Sequence, residues 1–277
     1  MTKVGFVGAG RMGMPMIERI AAAGMDLTVF VRRAEMAATV AAAGIDLAGS
    51  VEELAAVAEV LCVCTFDDAQ LREVAFGASG VGGALAALRP GAVLVNHTTG
   101  SPALVEELAA GAPSGVGVVD APVSGTADQI RGGVLTVLVG ATAEHLEKVR
   151  PVLASYASTI LHVGGVGDAQ RIKLVNNLVF TVHLQVAALA CELGRSLDVQ
   201  PDVLAGALRH CSGTSLPFSM LEQIPLNALI DGVRPFLAKD TSVIRDVARD
   251  LGVDLGSLGD LADWVDGVPS DPPSTPS

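Results

Sequence analysis

The chain has 277 residues, half of them apolar, with 18 basic against 30 acidic side chains and a formal charge of −12. That length exceeds a typical single domain and supplies ample material for a core. The charge opposes binding to nucleic acid or an anionic membrane surface, whose contacts need clustered Lys and Arg.

Near its start the chain reads "KVGFVGAGRMG", an apolar strand before which no signal peptide is expected and which runs into G-x-G-x-x-G at Gly8, Gly10 and Gly13. Gly8 suits the tight turn, Gly10 lets backbone approach a pyrophosphate, and Gly13 lets the following helix pack on the strand. The helix N-terminus then offers unpaired N–H groups to phosphate. Gly8, Gly10, Arg11, Met12 and Gly13 are therefore the expected dinucleotide contacts.

The second strand, "LTVFV", decides between NAD and NADP. Val31 stands where an NAD enzyme carries an acid, and Arg32 and Arg33 follow. Two guanidiniums suit a 2′-phosphate, which makes NADP the expected cofactor and NAD the less favoured one. The alternative is two solvated arginines at a helix start.

Strand runs "EVLCVCT", "AVLVNHT", "GVGVVDAPV", "LTVLVG" and "STILHVG" then alternate with helical segments after Ala34, Asp68 and Ser101. Ser50 with Glu53 fits a capping box, and Ser101 before Pro102 fits an N-cap. From Asp168 strand signals vanish, and one helical pattern runs to Ser196. Further helices are expected near 201–210, 217–230 and 237–251. The run 174–190 is interrupted by Asn176, Asn177, His183 and Gln185, so a buried helix of a soluble protein is expected rather than a membrane span. The fold class is α/β. A Rossmann doubly wound parallel sheet over 1–165 is expected to bind NADP, and a long interdomain helix is expected to open an all-helical substrate and oligomerisation domain over 166–267. The boundary falls at the glycine-rich "VGGVG", 163–167, and the Pro- and Ser-rich 268–277 is expected as a disordered tail.

Four cysteines, Cys62, Cys64, Cys191 and Cys211, stand in apolar surroundings without C-x-x-C or zinc-ligand spacing. They are expected as buried thiols in a reducing cytoplasm, with no metal site. His97 is expected to be structural.

Only four lysines occur, at 3, 148, 173 and 239, and one of them lies inside the apolar "RIKLVNNLVF". On a helix Lys173, Asn176 and Asn177 are i, i+3 and i+4, so two amides share the lysine's face. An ammonium there loses solvation and its pKa falls, which suits proton transfer near neutral pH. The alternative is a snorkelling lysine packed by its stem.

Five segments in order resemble the β-hydroxyacid dehydrogenases, a family that includes 3-hydroxyisobutyrate dehydrogenase. They are "GFVGAGRMGMPM", "NHTTGSP", "DAPVSGT", "GDAQRIKLVNN" and "LAKD". The resemblance makes Lys173 and Asn177 catalytic and assigns the substrate to Ser124, Gly125 and Asn176. It adds Thr99 and Lys239 to the cofactor contacts. Asn96, Thr98 and Thr126 depart from the family pattern, and Thr126 adds a side chain beside the acid site. Gly232 stands where the family carries phenylalanine, in a shortened C-terminal domain where Arg234 is a candidate for an extra carboxylate contact. The implied reaction interconverts a small β-hydroxy acid and its aldehyde or keto form in the cytoplasm, in a homodimer or homotetramer. An imine reductase-like enzyme and a non-catalytic dinucleotide-binding module are the alternatives, and the retained lysine argues against both.

Overall fold

In the computed structural model, residues 1–80 and 82–267 are described. The expected disordered tail, 268–277, lies outside the described residues. The chain divides into two compact units, Met1–Lys173 and Leu174 onward. The division falls within the long helix, after its first turn, whereas the sequence places it in the glycine segment just before.

In the first unit the elements are β1 (Lys3–Val7), α1 (Gly13–Ala22), β2 (Asp26–Phe30), α2 (Ala34–Ala42), β3 (Asp46–Leu47) and α3 (Val51–Val57). They continue with β4 (Val60–Val63), α4 (Asp68–Phe76), α5 (Gly83–Ala87), β5 (Val93–Asn96), α6 (Pro102–Gly111) and β6 (Gly117–Asp120). The unit closes with β7 (Val123–Ser124), α7 (Ala127–Arg131), β8 (Leu135–Gly140), α8 (Ala143–Leu153) and β9 (Ala157–Gly164). The nine strands form one sheet in the order β3-β2-β1-β4-β5-β6-β8-β7, with β9 paired to β8. Its first six strands are parallel and follow the doubly wound order 3-2-1-4-5-6. All six therefore end on the same edge.

The parallel pattern breaks after β6. β8 runs antiparallel to β6 and β7, while β9 runs parallel to β8. A parallel return needs a crossover of a dozen residues or more, and the segment carrying the five-residue α7 is too short for one.

Both faces of the sheet are covered because successive side chains alternate. Val60 and Cys62 of β4 join one buried cluster with Phe6, Ile17 and Val29. Leu61 and Val63 join the other with Leu54, Leu94 and Leu108. Ser50 caps α3, its Oγ accepting from Glu53 N at 3.0 Å, but the Glu53 carboxylate reaches Gly49 N and not Ser50 N. The reciprocal capping box occurs at Thr126 and Gln129 on α7. Like α5 and α8, this helix is absent from the sequence expectation.

α9 (Asp168–Ser196) carries the chain from the first unit into the second, followed by α10 (Pro201–Leu208), α11 (Leu216–Met220), α12 (Leu226–Leu251), α13 (Gly256–Ala262) and α14 (Trp264–Gly267). The two expected helices at 217–230 and 237–251 are instead short α11 and a continuous α12 with Pro235 inside it. Proline removes one backbone donor from a helix. Leu229 and Leu237, on either side of it, are buried in one cluster and hold both halves in line. A second small cluster joins Leu174, Leu178 and Val182 of α9 to Ile244.

By length and composition alone α9 is long and apolar enough to cross a membrane, and 39% of its most apolar 18-residue stretch is buried. The expectation of a buried helix is thus met on one side only. Val175, Val186, Leu189 and Leu193 are 46–62% exposed. The cysteine expectation is also corrected. Cys62 and Cys191 are buried, Cys64 is half-buried, and Cys211 is exposed in the turn after α10.

Candidate functional site

The glycine loop sits at the C-terminal end of β1, with α1 starting at Gly13. Gly8 has φ +104°, and a Cβ there would lie 2.1 Å from the Cys64 carbonyl oxygen. A Cβ on Gly13 would lie 1.8 Å from the Gly8 carbonyl oxygen. Neither position accepts any other residue without backbone movement. Above Gly10 nothing lies within 4 Å of a built Cβ, so this stretch of backbone is open to approach. That cradle, followed by a ten-residue helix, fits a dinucleotide pyrophosphate. Arg11 is exposed and Met12 half-buried beside it.

At the end of β2, Arg33 is the N-cap residue of α2, and Arg32 pairs with Glu73 of α4 at 3.2 Å. Both arginines are exposed. Glu73 is a neighbour that sequence reasoning missed, since nothing in its local segment marks it.

The loop after β5 is built from buried polar groups. Asn96 and Thr98 bond each other, with Asn96 Oδ1 accepting from Thr98 N at 3.0 Å. Thr98 Oγ1 accepts from Thr65 N at 2.9 Å, which ties the loop to the end of β4. The two departures from the family pattern thus satisfy each other. His97 Nδ1 lies 2.7 Å from the Ala121 carbonyl, so Nδ1 carries the proton and Nε2 accepts from the Tyr156 hydroxyl at 2.9 Å. Burial pushes His97 down to about 4 and keeps it neutral, as a structural histidine. Thr99, the expected cofactor contact, is the half-buried member of this loop.

Asp120 ends β6 and is fully buried. Its carboxylate accepts from Gln170 N at 2.9 Å, from Gln170 Nε2 at 2.8 Å and from the Gly167 backbone. Burial outweighs these bonds and raises its pKa to about 6. Four residues further, Ser124 of β7 is half-buried and Gly125 exposed. Thr126 turns its hydroxyl to Gln129 N at 3.3 Å as the cap of α7. Its added side chain is therefore engaged with its own helix.

Lys173 ends the first unit and is 8% exposed. Lys3 and Lys148 are exposed and Lys239 half-buried, so Lys173 is the buried member of the four. The topology brings Gly8–Gly13, Arg32, Arg33, Thr99 and Ser124 to the strand ends of this unit.

The second unit holds the remaining expected residues. Asn176 Nδ2 donates to Asn177 Oδ1 at 3.0 Å, and Asn177 Nδ2 donates to Asp240 Oδ2. Lys239 pairs with Asp240 at 2.7 Å. Asp240 is 5% exposed and accepts only, so it fixes which end of the Asn177 amide faces it. Arg234 lies over the Trp264 ring at 6.0 Å. The sequence pattern does not single out Asp120, Gln170 and Asp240 as site residues. An acid closing a Val-rich strand, and an amide three residues before the lysine, were the signals available.

Residues 3–164 match the family model described as the NAD binding domain of 6-phosphogluconate dehydrogenase. The chain is 32% identical over 214 residues to 2-(hydroxymethyl)glutarate dehydrogenase of Eubacterium barkeri, covering 77% of this chain and 70% of that protein. Its fold matches Mycobacterium tuberculosis 3-hydroxyisobutyrate dehydrogenase with L-serine at TM-score 0.82 and 26% identity, covering 96% and 93% of the two chains. It matches Psf3 in complex with NADP+ and 2-OPP at TM-score 0.83 and 28% identity, covering 95% and 93%. With its Rossmann sheet and helical C-terminal portion, the chain belongs to the β-hydroxyacid dehydrogenase family of nicotinamide-dependent oxidoreductases.

Proposed function

We propose that the protein is an NADP-dependent oxidoreductase interconverting a small β-hydroxy acid and its aldehyde or keto form. The observation that carries this reading is Lys173, a lysine 8% exposed on a helix that continues into two asparagines. A lysine ammonium is a proton donor, and the amine it leaves is a proton acceptor. Lys173 then protonates the carbonyl oxygen as it becomes an alkoxide, and takes the proton back in oxidation. When bound, the nicotinamide supplies or accepts the hydride. Asn177, its amide oriented by Asp240, orients the reacting oxygen, while Asn176, Ser124 and Gly125 hold the substrate, whose carboxylate suits the serine hydroxyl.

Gly8, Gly10, Arg11, Met12, Gly13 and Thr99 seat the dinucleotide, with Lys239 from the C-terminal side. Arg32 and Arg33 read the 2′-phosphate, and the relative solved with NADP+ supports that preference. In the same reading the enzyme is cytoplasmic, binds neither nucleic acid nor membrane, and works as a homodimer or homotetramer. The exposed apolar residues of α9 support self-association. Light scattering of wild type and Leu189→Lys tests it: the variant is expected to be smaller, and a monomeric wild type overturns it. The chemistry is tested by NADPH consumption with succinic semialdehyde, glyoxylate, methylmalonate semialdehyde and a cyclic imine. Lysine-dependent reduction of an acid-bearing aldehyde is the expected result. Turnover of the imine alone would move the protein to the imine-reductase reading.

A further inference from the structure

One buried network in the first unit has no part in the chemistry above. Gln170 and Asp120 are fully buried, and every polar group of the Gln170 side chain is used. Its Oε1 accepts from Gly100 N at 3.0 Å, and its Nε2 donates to the Thr98 carbonyl at 3.0 Å and to Asp120 Oδ1 at 2.8 Å. Its backbone N–H donates to Asp120 Oδ2 at 2.9 Å. A single side chain thus joins both sides of Thr99 to the turn of α9 that bears Lys173 three residues on. The loop is held in turn to β4 through Thr65 and to β6 through His97. Asparagine is one methylene too short to make these contacts together. An ionised glutamate lacks the donor and would set a second carboxylate against Asp120.

We propose that Gln170, anchored by Asp120, is a positioning residue that holds the Lys173 turn in register with the Thr99 loop and so aligns proton transfer with the cofactor. The inference rests on the reading of Lys173 as proton donor. Geometry at this level is costly to disturb, since a misplacement of about 1 Å lowers a rate by about 100-fold.

The test compares wild type, Lys173→Ala, Gln170→Asn and Gln170→Glu in NADPH-dependent reduction of succinic semialdehyde from about pH 5.5 to 8.5, with NADPH affinity measured separately. Gln170→Asn is expected to lower kcat by about 100-fold while KM and NADPH affinity stay within about threefold. Gln170→Glu is expected to be as slow at high pH and to recover about tenfold toward pH 5.5. There a proton shared between the two facing carboxyl groups restores a donor. Wild type is expected to show no such rise. A kcat within twofold of wild type for Gln170→Asn overturns the inference. So do equal losses of kcat and NADPH affinity without acid recovery, which mark a merely structural residue. Lys173→Ala at the wild-type rate overturns the lysine reading and this inference with it. An inactive Lys173→Ala beside an unaffected Gln170→Asn overturns this inference alone. A second readout needs no turnover: reductive methylation of Lys173, followed by peptide mass. NADPH is expected to slow it in wild type and not in Gln170→Asn, whereas equal protection in both overturns the inference.

Discussion

The two units solve the burial problem differently. In the first, a sheet covered on both faces supplies two extensive clusters, and the polar groups at its strand ends are buried and bonded largely to backbone. In the second, two small clusters do the packing, and the polar group at Asn177, Asp240 and Lys239 is held side chain to side chain. Leu197, Val203, Leu216 and Leu251 there are 61–67% exposed. A sheet with helices on both faces closes its own core, whereas a few helices leave an apolar face that needs another surface. The first unit is therefore where a cofactor site can be rigid within one chain.

The sharpest way to break this comparison is Lys173→Ala. If Lys173 transfers the proton and takes no part in seating the cofactor, kcat falls about 10³-fold while NADPH affinity changes by threefold or less. Loss of NADPH binding would show that the lysine belongs to the cofactor seat.

Two buried groups of the first unit should then give opposite pH signatures. Asp120 titrates in the folded state at about 6, above its ordinary 3.8. The folded state binds more protons in that window, so its contribution to stability is present at low pH and lost as pH rises through 6. His97 titrates at about 4, below its ordinary 6.5. Its contribution is present above 6.5 and lost as pH falls through 4. Each swing is about 3 kcal/mol at 1.36 kcal/mol per pH unit. Urea unfolding of Asp120→Asn and His97→Gln against wild type, from pH 4 to 7, should show stability gaps that change in opposite directions. Gaps independent of pH would place both groups in contact with water.

Arg32→Ala should weaken NADPH by about 30-fold, the loss of one charge-assisted contact, and leave NADH within about twofold. Equal losses would return Arg32 to its surface pair with Glu73. In the second unit, Asp240→Asn frees the Asn177 amide to turn and should lower kcat by about tenfold with NADPH affinity unchanged. An unaltered kcat would make the Asn177–Asp240 pair a packing feature. The smallest effect belongs to Ser50→Ala, which removes the α3 cap and should cost about 1 kcal/mol of stability without touching turnover. A change in turnover there would tie α3 to the site.

Much of the first unit is legible in the chain because its signals are local. The strand runs, the glycine spacing and the Ser101–Pro102 helix start each depend on a few neighbouring residues, and the structure forms all of them. The antiparallel β8, the capping box at Thr126 and the continuity of α12 through Pro235 were not legible in this way. Each depends on what lies across the sheet or along the bundle.

The same division holds for the site. Residue types and spacing along the chain determined the Rossmann sheet, the glycine cradle and the presence of a lysine with two amides on one helix. Their periods match the geometry of strand and helix, and a glycine that must avoid a carbonyl declares itself by having no side chain. Tertiary structure alone decided that Gln170 reaches Thr98, Gly100 and Asp120, that Arg32 meets Glu73, and that Asp240 holds Asn177. These partners lie 41 to 72 residues apart in sequence. A side chain's hydrogen-bonding capacity is written in its identity, but the atom that satisfies it is chosen only when the chain has folded around it.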